Sequence, residues 1–498
     1  MFLSSFLVLL AASAINSFLE PRTPTGLPTL YWVTDPNPAR TRQIELFQKW
    51  LAIHHPTEQY ILKVDAANAD PTKRVIQAVS GIADDLIDTY SGGELRYFQA
   101  MGATKDLTTD AMDLNFGPQQ TFPATEPDIY FSDAQGFLRQ YAFPCNVNTS
   151  LLFVNRKTFQ NLGVAQPPVR WSLEQFQEIG SRFVAAGNPD PRQRTVFFCD
   201  SFALNPIRRS LGQDIFNETG TRCILDRPGG VAVLQLDYEW TRVYHLIPTT
   251  GEKNSVSTAA TYGGSTPQLF NSGNYGMVFI GRYLLVALRS FDQTRRARGE
   301  PPLDLGVAEP PNGGFPNTDC GGRFVAVYAG GKHQRLAEYF LQFLTSAEYN
   351  METVDDPDAL PPNPIYTETE AFVHPTDYPN EWSVHRAFAE AARNLSIGDS
   401  YSPFVASAAV LEEDNDAIDM MMNDLLTPEQ AARRETDRIN SEIQRNLDED
   451  PSLRAEYDRR IDLQKKIDAR RASGKTIPLA WLEDPFYRKY YQFKGWAQ

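Results

Sequence analysis

The sequence predicts an α/β fold of more than one domain, on three observations. Strand and helix patterns alternate in β-α-β order near the start of the chain, as in a parallel sheet flanked by helices. At 498 residues the chain exceeds what one hydrophobic core usually serves. The stretch 140–164, QYAFPCNVNTSLLFVNRKTFQNLGV, reads as an apolar run stopped by Pro144, a polar turn-prone segment over 145–148 and a buried strand over 151–154. A helix capped by Asn155 and stopped by Gly163 follows. Such a stretch either carries the chain from one lobe to another, leaving polar groups such as Asn148 at the mouth between them, or joins two strands within one domain.

The elements follow in order. A Pro-rich leader over 21–28 precedes a strand over 29–33, a turn over 34–38 and an amphipathic helix over 40–54, apolar at Ile44, Phe47 and Leu51. A strand over 60–64, a helix over 71–80 and a strand over 86–90 repeat the unit. Ligands of parallel sheets gather beyond the strands' carboxyl ends, which singles out Asp35, Asp65 and the loop carrying Tyr90, Ser91, Gly92 and Glu94. Each has a plainer role available: Asp35 capping its turn, Asp65 in solvent, the glycines only turning the chain.

Beyond Trp171 a helix over 174–186 and a strand over 194–198 are expected, then a long helix over 228–244 whose Trp240 belongs either to the core or to a cleft. The segment QLFNSGNYGMVFIGRYLLVAL over 268–288 reads as a loop of small residues feeding a strand that ends at Gly281, where a missing side chain admits a ligand or another backbone. Arg282 would offer a planar fork of donors, and Tyr283 a flat face and a hydroxyl; alternatively Tyr283 opens the core of the next helix. Gly321 and Gly322 either present backbone N–H groups to a ligand or turn the chain. A helix over 335–345 follows. Late in the chain, Thr427-Pro428-Glu429-Gln430 starts a helix with cap, Pro and acceptor in register, a charged helix covers 453–471, and the aromatic, locally basic tail 477–496 either packs back on the lobes or docks on a membrane partner.

Several phrases resemble the extracellular solute-binding proteins of ABC transporters, in the carbohydrate-binding branch that includes maltose- and glycerol-phosphate-binding proteins. The hinge phrase at 141–163 is followed in register by PPVRWSLEQF at 167–176; YFQAMGATKDLT at 97–108 and FNSGNYGMVFIGRY at 270–283 match in the same order, with Tyr283 where Trp is usual. The resemblance covers residues 28–446. It implies a two-lobed periplasmic-binding-protein fold, each lobe a mainly parallel sheet flanked by helices and joined by hinge crossings, with an extra α-helical C-terminal tail. Lobe 1 would comprise 28–142 and 303–346, lobe 2 146–297 and 352–446, and the extension 447–498. A sugar or similar polar solute would lie between the lobes on Asp35, Asp65, Tyr90, Ser91, Gly92, Glu94, Asn148, Trp240, Arg282, Tyr283 and Gly321. The implied protein is a monomer that delivers its solute to membrane permease subunits.

Composition narrows the alternatives. Forty-seven Lys and Arg against 62 Asp and Glu give a net charge of −15, without a basic block dense enough for nucleic acid. Cys145, Cys199, Cys223 and Cys320 show no C-x-x-C spacing; Cys199 and Cys223 pair around a loop or remain buried thiols. No metal spacing among the six His, no phosphate loop and no dinucleotide fingerprint is found, so neither metal nor cofactor is expected. Residues 2–14 read as a secretory apolar segment with an Ala-x-Ala site, cleaved or kept as an anchor, which places the protein in the periplasm or otherwise outside the cytoplasm. The rivals are an exported glycosidase-like enzyme, using Asp85 with Asp88 or Glu412, Glu413 and Asp414, and a membrane-tethered adaptor with a degenerate cleft.

Overall fold

The computed structural model describes residues 26–66, 71–132, 137–256 and 264–498; the leader over 1–20, its Ala-x-Ala site and residues 133–136 before the crossing lie outside them. The strands are β1 Thr29–Val33, β2 Ile61–Val64, β3 Leu86–Thr89, β4 Tyr130–Ser132, β5 Leu138–Gln140, β6 Phe143–Asn155, β7 Phe197–Cys199, β8 Tyr275–Gly281, β9 Leu305–Ala308, β10 Thr318–Val327 and β11 Ser396–Ile397. The main sheet runs β2-β1-β3-β10-β6-β8-β7, with β9 on β6 and β11 on β10; β4 and β5 form a separate hairpin.

The crossing is a strand rather than a strand–turn–strand. β6 pairs its first half with β10, from Val325↔Phe143 to Cys320↔Thr149, and its second half with β8, from Ser150↔Gly281 to Val154↔Met277. The residues expected to turn, 145–148, stay extended because β10 supplies their backbone partners. Pro144, which has no N–H to donate, sits at the register shift opposite Phe324. The change of partner at 149–150 marks the passage between lobes.

β1 runs parallel to β2 and β3, and β7 parallel to β8, as the β-α-β pattern predicts. β6 and β10 traverse the sheet in opposite directions, so each lobe's sheet is mixed rather than mainly parallel. β9 pairs with the second-lobe half of β6, which places Leu305–Ala308 in lobe 2 and not in lobe 1 as the boundary at 303 supposes. Besides β6 and β10, the chain forms a third crossing near Leu360, which bridges to Val147 of β6.

Each lobe has its own apolar core. In lobe 1, Leu30 and Trp32 of β1 meet Phe47 and Trp50 of the helix Ala39–His54 and Phe340 and Phe343 of the helix Gln334–Thr345. In lobe 2, Leu152 and Met277 pack against Phe159, Phe176, Phe183 and Phe198. The sequence's capping signals are realised: Asn155 accepts from Thr158 N, Gly163 ends that helix at φ 66°, and Thr427 with Gln430 closes a reciprocal box on the helix Pro428–Glu449. The last helices pack back on the body, with Phe486, Tyr487 and Tyr491 buried against Phe315 and Ile397. All the cysteines are free and buried, Cys199 in the lobe 2 core and Cys223 in a separate cluster with Phe216, so the Cys199–Cys223 pairing is not formed.

Candidate functional site

Where β6 passes between the lobes, several expected residues become neighbours. Asn148 of β6 lies opposite Gly321 of β10. A Cβ built on Gly321 would stand 3.8 Å from the Tyr90 carbonyl oxygen, and one on Gly281 would overlap Asn148 Oδ1 and come within 2.7 Å of Tyr283 Cε1. Tyr90, Gly321, Asn148, Gly281 and Tyr283 therefore lie in succession from the end of β3 to the end of β8, and Gly281 is what lets the Tyr283 ring and the Asn148 amide meet. Asn148 Oδ1 is buried and has no hydrogen-bond partner within the protein. The Tyr90 ring is 37% exposed, while burial and then Asp200 raise the Tyr283 phenol above its ordinary value.

The polar residues around this surface are anchored from below. Asp35 accepts from Asn37 N and from Arg40 Nε at 3.0 Å, so it both caps its turn and holds a cation. Arg40 reaches Asp358 at 2.6 Å, Asp358 meets Arg323 at 3.4 Å, and Arg323 meets Asp88 at 3.0 Å. Burial opposes ionisation of Asp358, but Arg40 and Arg323 outweigh it and hold the carboxyl down at about 2. The partners of Asp358 lie as far as 321 residues away in sequence, which explains why no local pattern announced this network. Asp65 stands beside Asp84, whose carboxyl burial, and next Asp65 itself, push up to about 7.

Other expected residues shape the loop rather than face a solute. Ser91 caps the helix Gly92–Ala100 by accepting from Glu94 N; Glu94 pairs with Arg74 and accepts from Tyr90 N; Gly92 N donates to Asp128 Oδ1 at 2.9 Å. Two expectations fail. Trp240 is 1% exposed, stacked on Phe176 at 4.3 Å, on the buried side of a π-helical turn, Glu239–Val243, that ends the helix Pro228–Tyr238. Arg282 is also 1% exposed. Its fork donates to the carbonyls of Thr353, Val354 and Ala359, and its Nε donates to His385 Nδ1 at 3.0 Å, so it ties the helix Ala347–Asp355 and the third crossing to the end of β8 instead of reaching a ligand.

One group the sequence reading passed over belongs here. Asp200 follows β7, accepts from Phe279 N at 2.9 Å and from Ser201 Oγ, and lies close enough to perturb Tyr283; burial raises its own carboxyl. The rule that singled out Asp35 and Asp65, an acid just past a strand, finds Asp200 as well when applied to the second lobe.

A strand-hinged pair of α/β lobes with aromatic and polar groups meeting at their junction defines a clamp for a small molecule. Residues 65–351 match the family model described as bacterial extracellular solute-binding protein. That is more than half of the chain, which belongs to this family. No curated protein matches the chain. Among solved structures, an ABC substrate-binding protein of Listeria monocytogenes in complex with cycloalternan is 19% identical, with a TM-score of 0.66 over 83% of this chain and 98% of that one. A solute-binding protein of Thermotoga lettingae bound with α-D-tagatose is 13% identical, with a TM-score of 0.66 over 84% and 100%. The maltodextrin-binding domain of Bdellovibrio bacteriovorus bound to maltotriose is 16% identical, with a TM-score of 0.62 over 84% and 100%. At these identities the likeness establishes the two-lobed fold.

Proposed function

We propose that this solute-binding protein is the sugar-binding subunit of an ABC importer, acting as a monomer in the periplasm and handing its solute unchanged to a membrane permease. The observation that carries the reading is the junction between lobes, where the Tyr283 ring and Asn148 meet at Gly281 and the Tyr90 backbone lies by Gly321, opposite Asn148. Rings stack on the apolar faces of a sugar, and amides and carboxylates take its hydroxyls. Asp35 and Asp65, each just past a strand of lobe 1, would supply acceptors. A solute touching both halves favours the closed arrangement by its differential contacts. Among the described residues no helix is long and apolar enough to cross a membrane.

Three acids of the glycosidase-like alternative, Asp85, Asp88 and Asp414, are engaged by other groups of the protein. Asp88 is fully buried, accepting from Trp32 Nε1 at 2.7 Å and pairing with Arg323; Asp85 accepts from Tyr31 N and His333 N; Asp414 sits beside Arg208 at 3.8 Å and next to Glu435. The test is a thermal-shift screen of the protein lacking residues 1–20 against mono- and oligosaccharides and polyols. At a hundredfold excess over Kd a true solute stabilises the fold by about 2.7 kcal/mol and is recovered intact. Turnover of the sugar would establish an enzyme, and silence across the screen an adaptor.

A further inference from the structure

The solved structures above are covered almost whole, while they match 83% to 84% of this chain. The C-terminal part carries helices Ser407–Met422, Pro428–Glu449, Ser452–Ala472 and Pro485–Phe493, and these do more than coat lobe 2. The segment 398–406 leaves β11 and is fixed to lobe 2 and to the last helices. Arg209 donates to the carbonyls of Ile397 and Gly398, Lys489 Nζ to that of Ser396 at 2.6 Å, and Ser402 Oγ to that of Gly220 at 2.6 Å; Phe404 meets the edge of Tyr457 at 5.0 Å. From that anchorage Tyr401 reaches lobe 1. The Arg96 guanidinium, on the helix Gly92–Ala100, lies between the rings of Phe131 at 4.0 Å and Tyr401 at 4.2 Å, and donates to Pro127 O at 3.3 Å. Ser407 packs on Gly93 of the same helix. The charged groups around Arg96 come from both sides: Asp128 of lobe 1, and Arg460 with Glu483 of the extension, themselves paired at 2.7 Å.

We propose that the segment 398–406, backed by the C-terminal helices, is a strap across the two lobes, latched by Tyr401 on Arg96, that holds the clamp near its closed arrangement before any solute arrives. An aromatic ring over a partly desolvated guanidinium is among the stronger contacts two side chains make, and opening the hinge separates this pair, because Arg96 moves with lobe 1 and Tyr401 stays with lobe 2. Part of the free energy of closure then comes from the chain. Solute binds a clamp whose competent state is already populated, which raises apparent affinity, and release requires the latch to part.

The test uses the full-length protein without solute. All four native cysteines are buried, so spin labels go selectively onto Met112→Cys in lobe 1 and Val243→Cys in lobe 2, both exposed, and pulsed electron resonance reads the interlobe distance. The wild type should give one narrow population. Tyr401→Ala and Arg96→Gln should each raise the open-to-closed ratio roughly tenfold, visible as a second distance, whereas Tyr401→Phe, which keeps the ring, should stay closed. Distributions that coincide in wild type and Arg96→Gln, or a wild type already as open as the variants, would overturn the proposal, and Arg96→Gln decides it should Tyr401→Ala misfold. No sugar is added, so failure of the sugar reading, seen as silence in the thermal-shift screen, leaves this measurement independent.

Discussion

The most searching test of the site is Gly281→Ala. The φ angle at Gly281 is not left-handed, so the backbone itself admits alanine, and the effect must come from space. The new methyl would overlap Asn148 Oδ1 and lie 2.7 Å from both Asn148 Cγ and Tyr283 Cε1. Asn148 and Tyr283 are the far ends of side chains, so they move aside, and the folded state loses about 1–3 kcal/mol as in other overpacked sites. Displacing them removes one amide hydrogen bond and one ring or hydroxyl contact with solute, each of about 1–1.5 kcal/mol. The sum, roughly 2–3 kcal/mol, corresponds to a loss of about 30- to 150-fold in Kd. Calorimetric titration with the solute found in the screen, beside a urea melt, separates the two effects. A variant that binds within threefold of wild type would show that the surface joining Asn148, Gly281 and Tyr283 is not where the solute sits.

The remaining predictions address what holds the site up. Trp240→Ala should destabilise lobe 2 by about 3–5 kcal/mol while its folded fraction keeps wild-type Kd; selective loss of binding would return Trp240 to the cleft. Asp358→Asn leaves Arg40 and Arg323 without their shared carboxylate and should cost about 3–5 kcal/mol in a denaturant melt. Because the Asp358 carboxyl is held at about 2, below its ordinary value, its contribution is complete above about pH 4 and fades as pH falls through 2; a wild-type and variant difference that stays constant from pH 5 to 2 would contradict this. His385 behaves oppositely. Burial, followed by the Arg282 charge, pushes it down to about 4, so the unfolded chain binds the proton first and stability should fall between pH 6.5 and 4. His385→Gln should flatten that slope, and an unchanged slope would refute the assignment. An Ellman assay should find no reactive thiol in the native protein and four after unfolding.

Much of the fold was legible because local signals agree with one another. The β-α-β alternation, the Asn155 cap, the Gly163 stop and the Thr427–Gln430 box each act within a few residues, and the structure realises all of them. The extended conformation of 145–148 was illegible for the opposite reason. Cys145-Asn146-Val147-Asn148 has turn-like composition, and only pairing with β10, more than 170 residues later, decides that it is strand. The site divides along the same line. Tyr90, Asn148, Tyr283 and Gly321 follow from strand ends and small residues, and they converge. Arg282 occupies an equally suggestive position, but the open carbonyls at the end of the helix Ala347–Asp355 claim its fork, and nothing near residue 282 in the sequence reports that helix.

The buried charges acquire a common purpose when set against the hinge. A clamp must let its lobes rotate about β6 and β10 while keeping the strand ends that face the solute in register, and apolar packing alone permits sliding at such a junction. Arg323 on β10, Asp88 on β3, Arg40 beyond β1 and Asp358 at the third crossing are joined by directional ion pairs, and Arg282 performs the same service at the end of β8. Buried pairs of this kind contribute little net stability over apolar packing, but removing one partner is costly, which makes them effective at fixing a single geometry. Arg40, Arg323 and Arg282 are thereby committed to the frame, their guanidinium groups already satisfying protein acceptors.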